Sequence, residues 1–143
     1  MDGELILDLL PQRPPMVMVD GILSCMDLRI VTLLKVREDN VFLVRGRLSA
    51  AGMMEMIAQS AAARTGLLLR KDAPGQNKPV PVGVIGQIRN FLVYGLPAAG
   101  AELQTEVTVS HEIGQASVIS GKVLQGAKTW AEGEMKIFLN PEW

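Results

Sequence analysis

Apolar and polar positions alternate most regularly over the last third of the chain. In AELQTEVTVSHE, residues 101–112, Leu103, Thr105, Val107 and Val109 share one face. In residues 128–139, Ala131, Met135 and Ile137 oppose Trp130, Glu132, Glu134 and Lys136. A period of two belongs to a strand with one buried face. Strands are therefore expected over 101–112, 115–125 and 128–139, with a turn at Gly126 before the last. A further long strand-like run covers about 80–94. Near the start, residues 17–24 and 29–36 read as strands, the second (RIVTLLKV) rich in β-branched residues. Glu38-Asp39-Asn40 is a turn signal ahead of a short strand, VFLV, at 41–44. ELILDLL, 4–10, reads as a short helix stopped by Pro11, and KDAPGQNKP, 71–79, as a loop.

The character changes between Ala51 and Arg70. This segment is made of good helix formers, lacks proline and is nearly free of β-branched residues. Met53, Met54, Met56, Ile57, Ala58, Ala61, Ala62, Leu67 and Leu68 make it apolar around most of its circumference, which predicts a buried helix. Strands, one buried helix, then a run of long strands predict an α+β domain: an antiparallel sheet wrapped around one long central helix. The whole chain, 1–143, is of a size for one such domain.

Composition adds three things. Fourteen basic against fifteen acidic residues give no general nucleic-acid footprint. Arg45, Arg47, Arg64, Arg70 and Lys71 are accordingly expected on a solvated surface. One cysteine, Cys25, fits a small core residue in a reducing compartment. Together with an N-terminus lacking a secretory pattern and apolar runs broken by Glu55, Gln59 and Arg64, this predicts a cytoplasmic protein without a membrane span. Finally, 48% hydrophobic residues with a mean hydropathy of +0.24 is apolar for so short a chain, and predicts an oligomer.

Few residues can carry chemistry. Glu55 stands in the early turns of the helix, where an acid is favoured by the helix dipole alone. Its methionine neighbours disfavour the charged form of a carboxylate, which suits it to donate a proton. The backbone N–H groups near Ala51, Gly52 and Met53 could hold a carbonyl oxygen that gains charge. Gln59, one turn on, shares the face of Glu55. His111 is expected at an exposed hairpin end. No Cys/His cluster or phosphate-binding glycine loop is present, so neither a metal nor a cofactor is expected.

Two stretches carry a resemblance over nearly the whole chain. LLPQRPPMVMVDGIL is similar to the Leu-Pro-His-Arg lead-in, followed by a strand ending in Val-Asp, of the β-hydroxyacyl-acyl-carrier-protein dehydratases. GRLSAAGMMEMIAQSAAARTG is similar to that family's helix, with Glu55, Ala58 and Gln59 filling its Glu-x-x-Ala-Gln spacing. The closest resemblance is to the dehydratase-like proteins of aryl-polyene clusters. It implies a hot-dog fold and lyase chemistry on 3-hydroxyacyl thioesters of acyl carrier protein or coenzyme A. The family histidine takes the α-proton, the helix glutamate protonates the departing hydroxyl, and a helix N-terminal N–H polarises the thioester carbonyl.

Carried over, Glu55 takes the acid's place, while Gln12 stands where the family has its histidine. A glutamine amide cannot accept and return a proton near neutral pH. Ser49-Ala50 likewise replaces the family's Pro-Gly before the helix. The resemblance implies a dehydratase-like protein of fatty-acid or polyene biosynthesis, weak alone or completed by a histidine-bearing paralogue. It acts as a homodimer, a higher oligomer or a heterodimer. The alternatives are a hot-dog acyl thioesterase using Glu55 and a non-catalytic acyl-binding subunit. Met16, Met18, Met53 and Met54 are expected either to wall an acyl tunnel or to be plain core, and Arg13, Arg45 and Arg47 are candidates for meeting an acidic carrier.

Overall fold

The computed structural model describes residues 3–72 and 81–140. Two helices, α1 (Gly3–Leu9) and α2 (Ala50–Asp72), accompany eight strands. These are β1 (Gly21–Met26), β2 (Arg29–Lys35), β3 (Leu43–Val44), β4 (Arg47–Leu48), β5 (Val82–Val93), β6 (Glu102–Ile113), β7 (Ala116–Gln125) and β8 (Lys128–Asn140). Six of them form one sheet in the order β1-β2-β6-β7-β8-β5, every pair antiparallel. The long strands begin and end close to the alternating segments, because one buried face fixes their phase.

Helix α2 lies across the inner face of this sheet, against β2, β5, β6, β7 and β8, with α1 on its flank. Met53, Met56 and Ile57 of the helix are fully buried with Ile30, Leu103, Val107, Ile119, Val123 and Met135 of the sheet. Glycine sets the helix-to-sheet distance at one point. A Cβ added at Gly121 in β7 would come within 2.5 Å of Ile57 Cγ2. On the other flank, a Cβ at Gly66 would collide with the backbone carbonyl of Leu9, so α1 rests directly on the helix there.

Three local expectations are corrected. The strand expected over 17–24 starts only at Gly21. Met18 N–H instead donates to Gln59 Oε1 and Met16 O accepts from Gln59 Nε2, so at these two residues the backbone is satisfied by a helix side chain, and pairing with β2 begins at Asp20, whose N–H donates to Leu33 O. VFLV reduces to a two-residue strand, β3, hairpinned to β4 through Arg45 and Gly46, both with positive φ (54° and 77°). That pairing of positive φ values is the two-residue turn matching strand twist. Of the loop expected over 71–79, Lys71 and Asp72 extend α2, and the rest lies outside the described residues.

Arg64 is the fourth correction. Expected on a solvated surface, it is only 6% exposed. Its guanidinium donates through Nε (2.7 Å) and Nη2 to Asp27 O, and through Nη1 to Glu112 (2.8 Å). It thereby pins the β1–β2 turn and the end of β6 to the helix. The other basic residues of the segment, Arg45, Arg47, Arg70 and Lys71, are exposed.

Candidate active site

Between α2 and the β5-β7-β8 end of the sheet lies a cavity of about 280 Å³. Gln12 and Glu55, 43 positions apart in sequence, both line it. The α2 wall continues from Glu55 through Ala58, Ala61 and Ala62 to Arg64 and Thr65, while β5, β7 and β8 supply mostly aliphatic side chains and Ser117. Glu55 and Thr65 are ten residues apart, so this wall spans about 15 Å at 1.5 Å per residue. Small residues at 58, 61 and 62 leave room that larger side chains would fill. The result is a mostly apolar slot whose polar lining is Gln12, Glu55, Arg64, Thr65 and Ser117.

Glu55 is half-buried, and its carboxylate is held from one side. Gln59, fully buried, donates from Nε2 to Glu55 Oε2 (2.8 Å) and to Met16 O (2.8 Å), and accepts Met18 N–H at Oε1 (2.6 Å). Gln12 differs. Its Oε1 is shielded from solvent, yet has no hydrogen-bond partner. The amide that stands at the family histidine's position is thus tied to nothing among the described residues.

The remaining sequence candidates lie elsewhere. Arg13 turns back, Nη1 donating to Leu7 O (3.0 Å), Leu10 O (2.9 Å) and Gln12 O (2.8 Å). A cation there satisfies the carbonyls at the end of α1. Ser49 caps α2, its Oγ accepting Gly52 N–H (3.3 Å) and its carbonyl accepting Met53 N–H (3.2 Å). Gly52 is buried under Leu48 and Phe42, Met53 is in the core, and Ala51 is exposed; none of the three lines the cavity. Met18 is also core, whereas Met16 is 45% exposed and Met54 half-buried. His111 is exposed near the β6–β7 hairpin, away from Gln12 and Glu55. Among the described residues no cluster of metal-binding side chains occurs, and no helix is long and apolar enough to cross a membrane.

Thr65 and Ser117 were missed by reasoning from the sequence. Thr65 follows Glu55, Ala58 and Ala62 at helical spacing, a readable signal once one face is known to border a cavity. Ser117 has no comparable signal, since only the packing of α2 across β7, β8 and β5 brings it to the cavity.

Residues 5–142 match the ApeP-like family, described as ApeP dehydratase. The chain belongs to this dehydratase family. No curated protein matches the sequence. Among solved structures, the dehydratase heterocomplex ApeI:P from Xenorhabdus doucetiae superposes with a TM-score of 0.84 at 18% identity, over 94% of this chain and 90% of that one. A hypothetical thioesterase with coenzyme A from Streptococcus pneumoniae matches with a TM-score of 0.64 at 13% identity, over 84% of each chain. The PaaI protein of the E. coli phenylacetic acid degradation operon matches at 0.63 and 15%, over 82% of this chain and 81% of that one. At these identities the shared property is the fold. The large antiparallel sheet around α2 in this ApeP-like dehydratase-family chain is the hot-dog fold.

Proposed function

We propose that this chain binds acyl thioesters, on acyl carrier protein or coenzyme A, and serves the dehydration of 3-hydroxyacyl groups in fatty-acid or polyene biosynthesis in the cytoplasm. Glu55 donates a proton to the departing hydroxyl. Gln12 supplies no base, so the α-proton goes to a histidine of a paralogous subunit. The carrying observation is the pairing of Glu55 and Gln12 on one largely apolar cavity. The 143 residues act as one dehydratase-like domain within a dimer or larger assembly. The ApeI:P structure, a heterocomplex of dehydratases, supports such a pairing.

Losing a positioned general base costs about 10²–10⁴ in rate. The chain alone is therefore expected to hydrate a trans-2-enoyl thioester only slowly, Gln12→His to gain activity, and Glu55→Ala to abolish that gain. High activity of the unsubstituted chain alone would overturn the account of Gln12. A second reading, thioester hydrolysis by Glu55 without any histidine, is favoured by the single carboxylate in the cavity. Thiol release from a saturated acyl thioester, lost in Glu55→Ala, would select it. If neither form of the chain reacts, a non-catalytic acyl-binding subunit remains, with Ala51, Gly52, Met53 and Arg13 as further candidate contacts in the assembled complex.

A further inference from the structure

We infer that Arg64 sets the specificity of the cavity for the far end of an acyl chain: a chain long enough to reach it must end in an uncharged oxygen, a hydroxyl or a carbonyl. The inference rests on the acyl-site reading, with C3 of the substrate at Glu55, and goes beyond it to the substrate class. A guanidinium carries five N–H donors. Arg64 commits Nε and one N–H of Nη2 to Asp27 O, and one N–H of Nη1 to Glu112. One N–H on Nη1 and one on Nη2 are left without a protein partner among the described residues. Arg64 is only 6% exposed and lines the cavity, so these two donors meet water there when no chain is bound. Ser117, the β7 register partner of Glu112, brings to the same part of the cavity a hydroxyl with no protein partner among the described residues.

Displacement of that water decides what fits. A methyl end pushed against a charged N–H removes its water and returns no hydrogen bond, whereas an oxygen takes the water's place. Glu112 already balances the Arg64 charge. A carboxylate end would therefore arrive as an uncompensated charge between aliphatic walls. Chain length follows from the helix. Arg64 lies nine residues beyond Glu55, about 13.5 Å along α2 at 1.5 Å per residue. An extended chain advances roughly 1.1–1.2 Å per bond, since a residue of extended backbone covers three bonds. With about 2.9 Å left for the hydrogen bond itself, roughly nine or ten bonds separate C3 from the terminal oxygen. That is a chain of about eleven or twelve carbons. Shorter chains stop along Ala58, Ala61 and Ala62 and leave the Arg64 water in place.

Binding is read without turnover, using pantetheine thioesters and the full-length chain. The ω-hydroxydodecanoyl thioester is expected to bind about tenfold more tightly than the dodecanoyl one. The ω-hydroxyhexanoyl and hexanoyl thioesters should bind alike. Equal binding of the two long chains overturns the inference, and so does an equal hydroxyl preference in the short pair. Tighter binding of the ω-carboxyl analogue overturns the uncharged end. Arg64→Met keeps an unbranched side chain but removes the donors, so the long-chain ratio should fall towards one as dodecanoyl gains. A purely structural Arg64 would instead weaken both long chains together, and an unchanged ratio overturns the inference. Should Arg64→Met not fold, the comparison of long and short pairs in the unsubstituted chain decides by itself. A chain with the length-dependent preference that never hydrates an enoyl thioester keeps this inference and loses the dehydratase reading. A chain that binds none of these thioesters loses the acyl site and this inference with it.

Discussion

At the scale of single residues, two glutamines of identical chemistry have opposite situations. Gln59 is satisfied on every side by Met16, Met18 and Glu55, whereas Gln12 has a sealed oxygen with no partner among the described residues. Leaving a buried polar oxygen unpaired costs about 1–3 kcal/mol, a cost borne at Gln12 Oε1 and also at Thr105 Oγ1. The Gln12→His and Glu55→Ala pair tests the Gln12 site by activity. Cys25 offers a separate check. Burial pushes its thiol up from the ordinary cysteine range, against the opposing pull of the Arg64 and Lys71 charges. A raised thiol holds less thiolate at any given pH. Alkylation at pH 7–8 is therefore expected to be slower than that of a free cysteine, and to accelerate as the solution is made more alkaline. Labelling as fast as free cysteine at pH 8 would contradict this.

At the scale of elements, α2 is held at three points by three different means. Ser49 caps its start, Arg64 pins its middle to Asp27 and Glu112, and Gly66 lets α1 press backbone on backbone. Alanine at position 66 gains about 1 kcal/mol in helix propensity over glycine. Its methyl group, however, would strike the Leu9 carbonyl, which cannot swing aside as a side chain can. Gly66→Ala is expected to lose about 1–3 kcal/mol net, read from the denaturant midpoint. The Arg64 pin illustrates a limit of reading from sequence. Helical period announces α2, but a buried arginine looks like a surface one until its remote partners are known.

At the scale of the whole molecule, the open edge is the telling feature. Among the described residues β5 pairs with β8 on one side only, and Val84, Ile88, Leu92 and Val93 along it are 40–52% exposed. A twelve-residue strand with apolar side chains and a free row of backbone groups invites pairing with another chain. This agrees with the high mean hydropathy and with the proposed assembly. Replacing Ile88 and Leu92 together with lysine should shift the assembly towards monomer in sedimentation velocity while leaving the helical circular dichroism unchanged. An unaltered mass would place the contact elsewhere.

The long strands, α2 and the Glu55–Ala58–Gln59 face follow from the sequence itself, because each depends on a local period that burial on one side enforces. The family resemblance could likewise be carried by two short stretches. Three matters depend on packing between distant segments. The segment before β1 does not pair as a strand at Met16 and Met18, because a glutamine from α2 takes the Met16 carbonyl and the Met18 N–H. Arg64 is buried because Asp27, from the β1–β2 turn, and Glu112, from the end of β6, converge on it. The cavity that unites Gln12 with Glu55 exists because the strand order leaves β5, β7 and β8 facing small residues of α2. Such contacts join residues tens of positions apart, and no local pattern of apolar and polar residues encodes them.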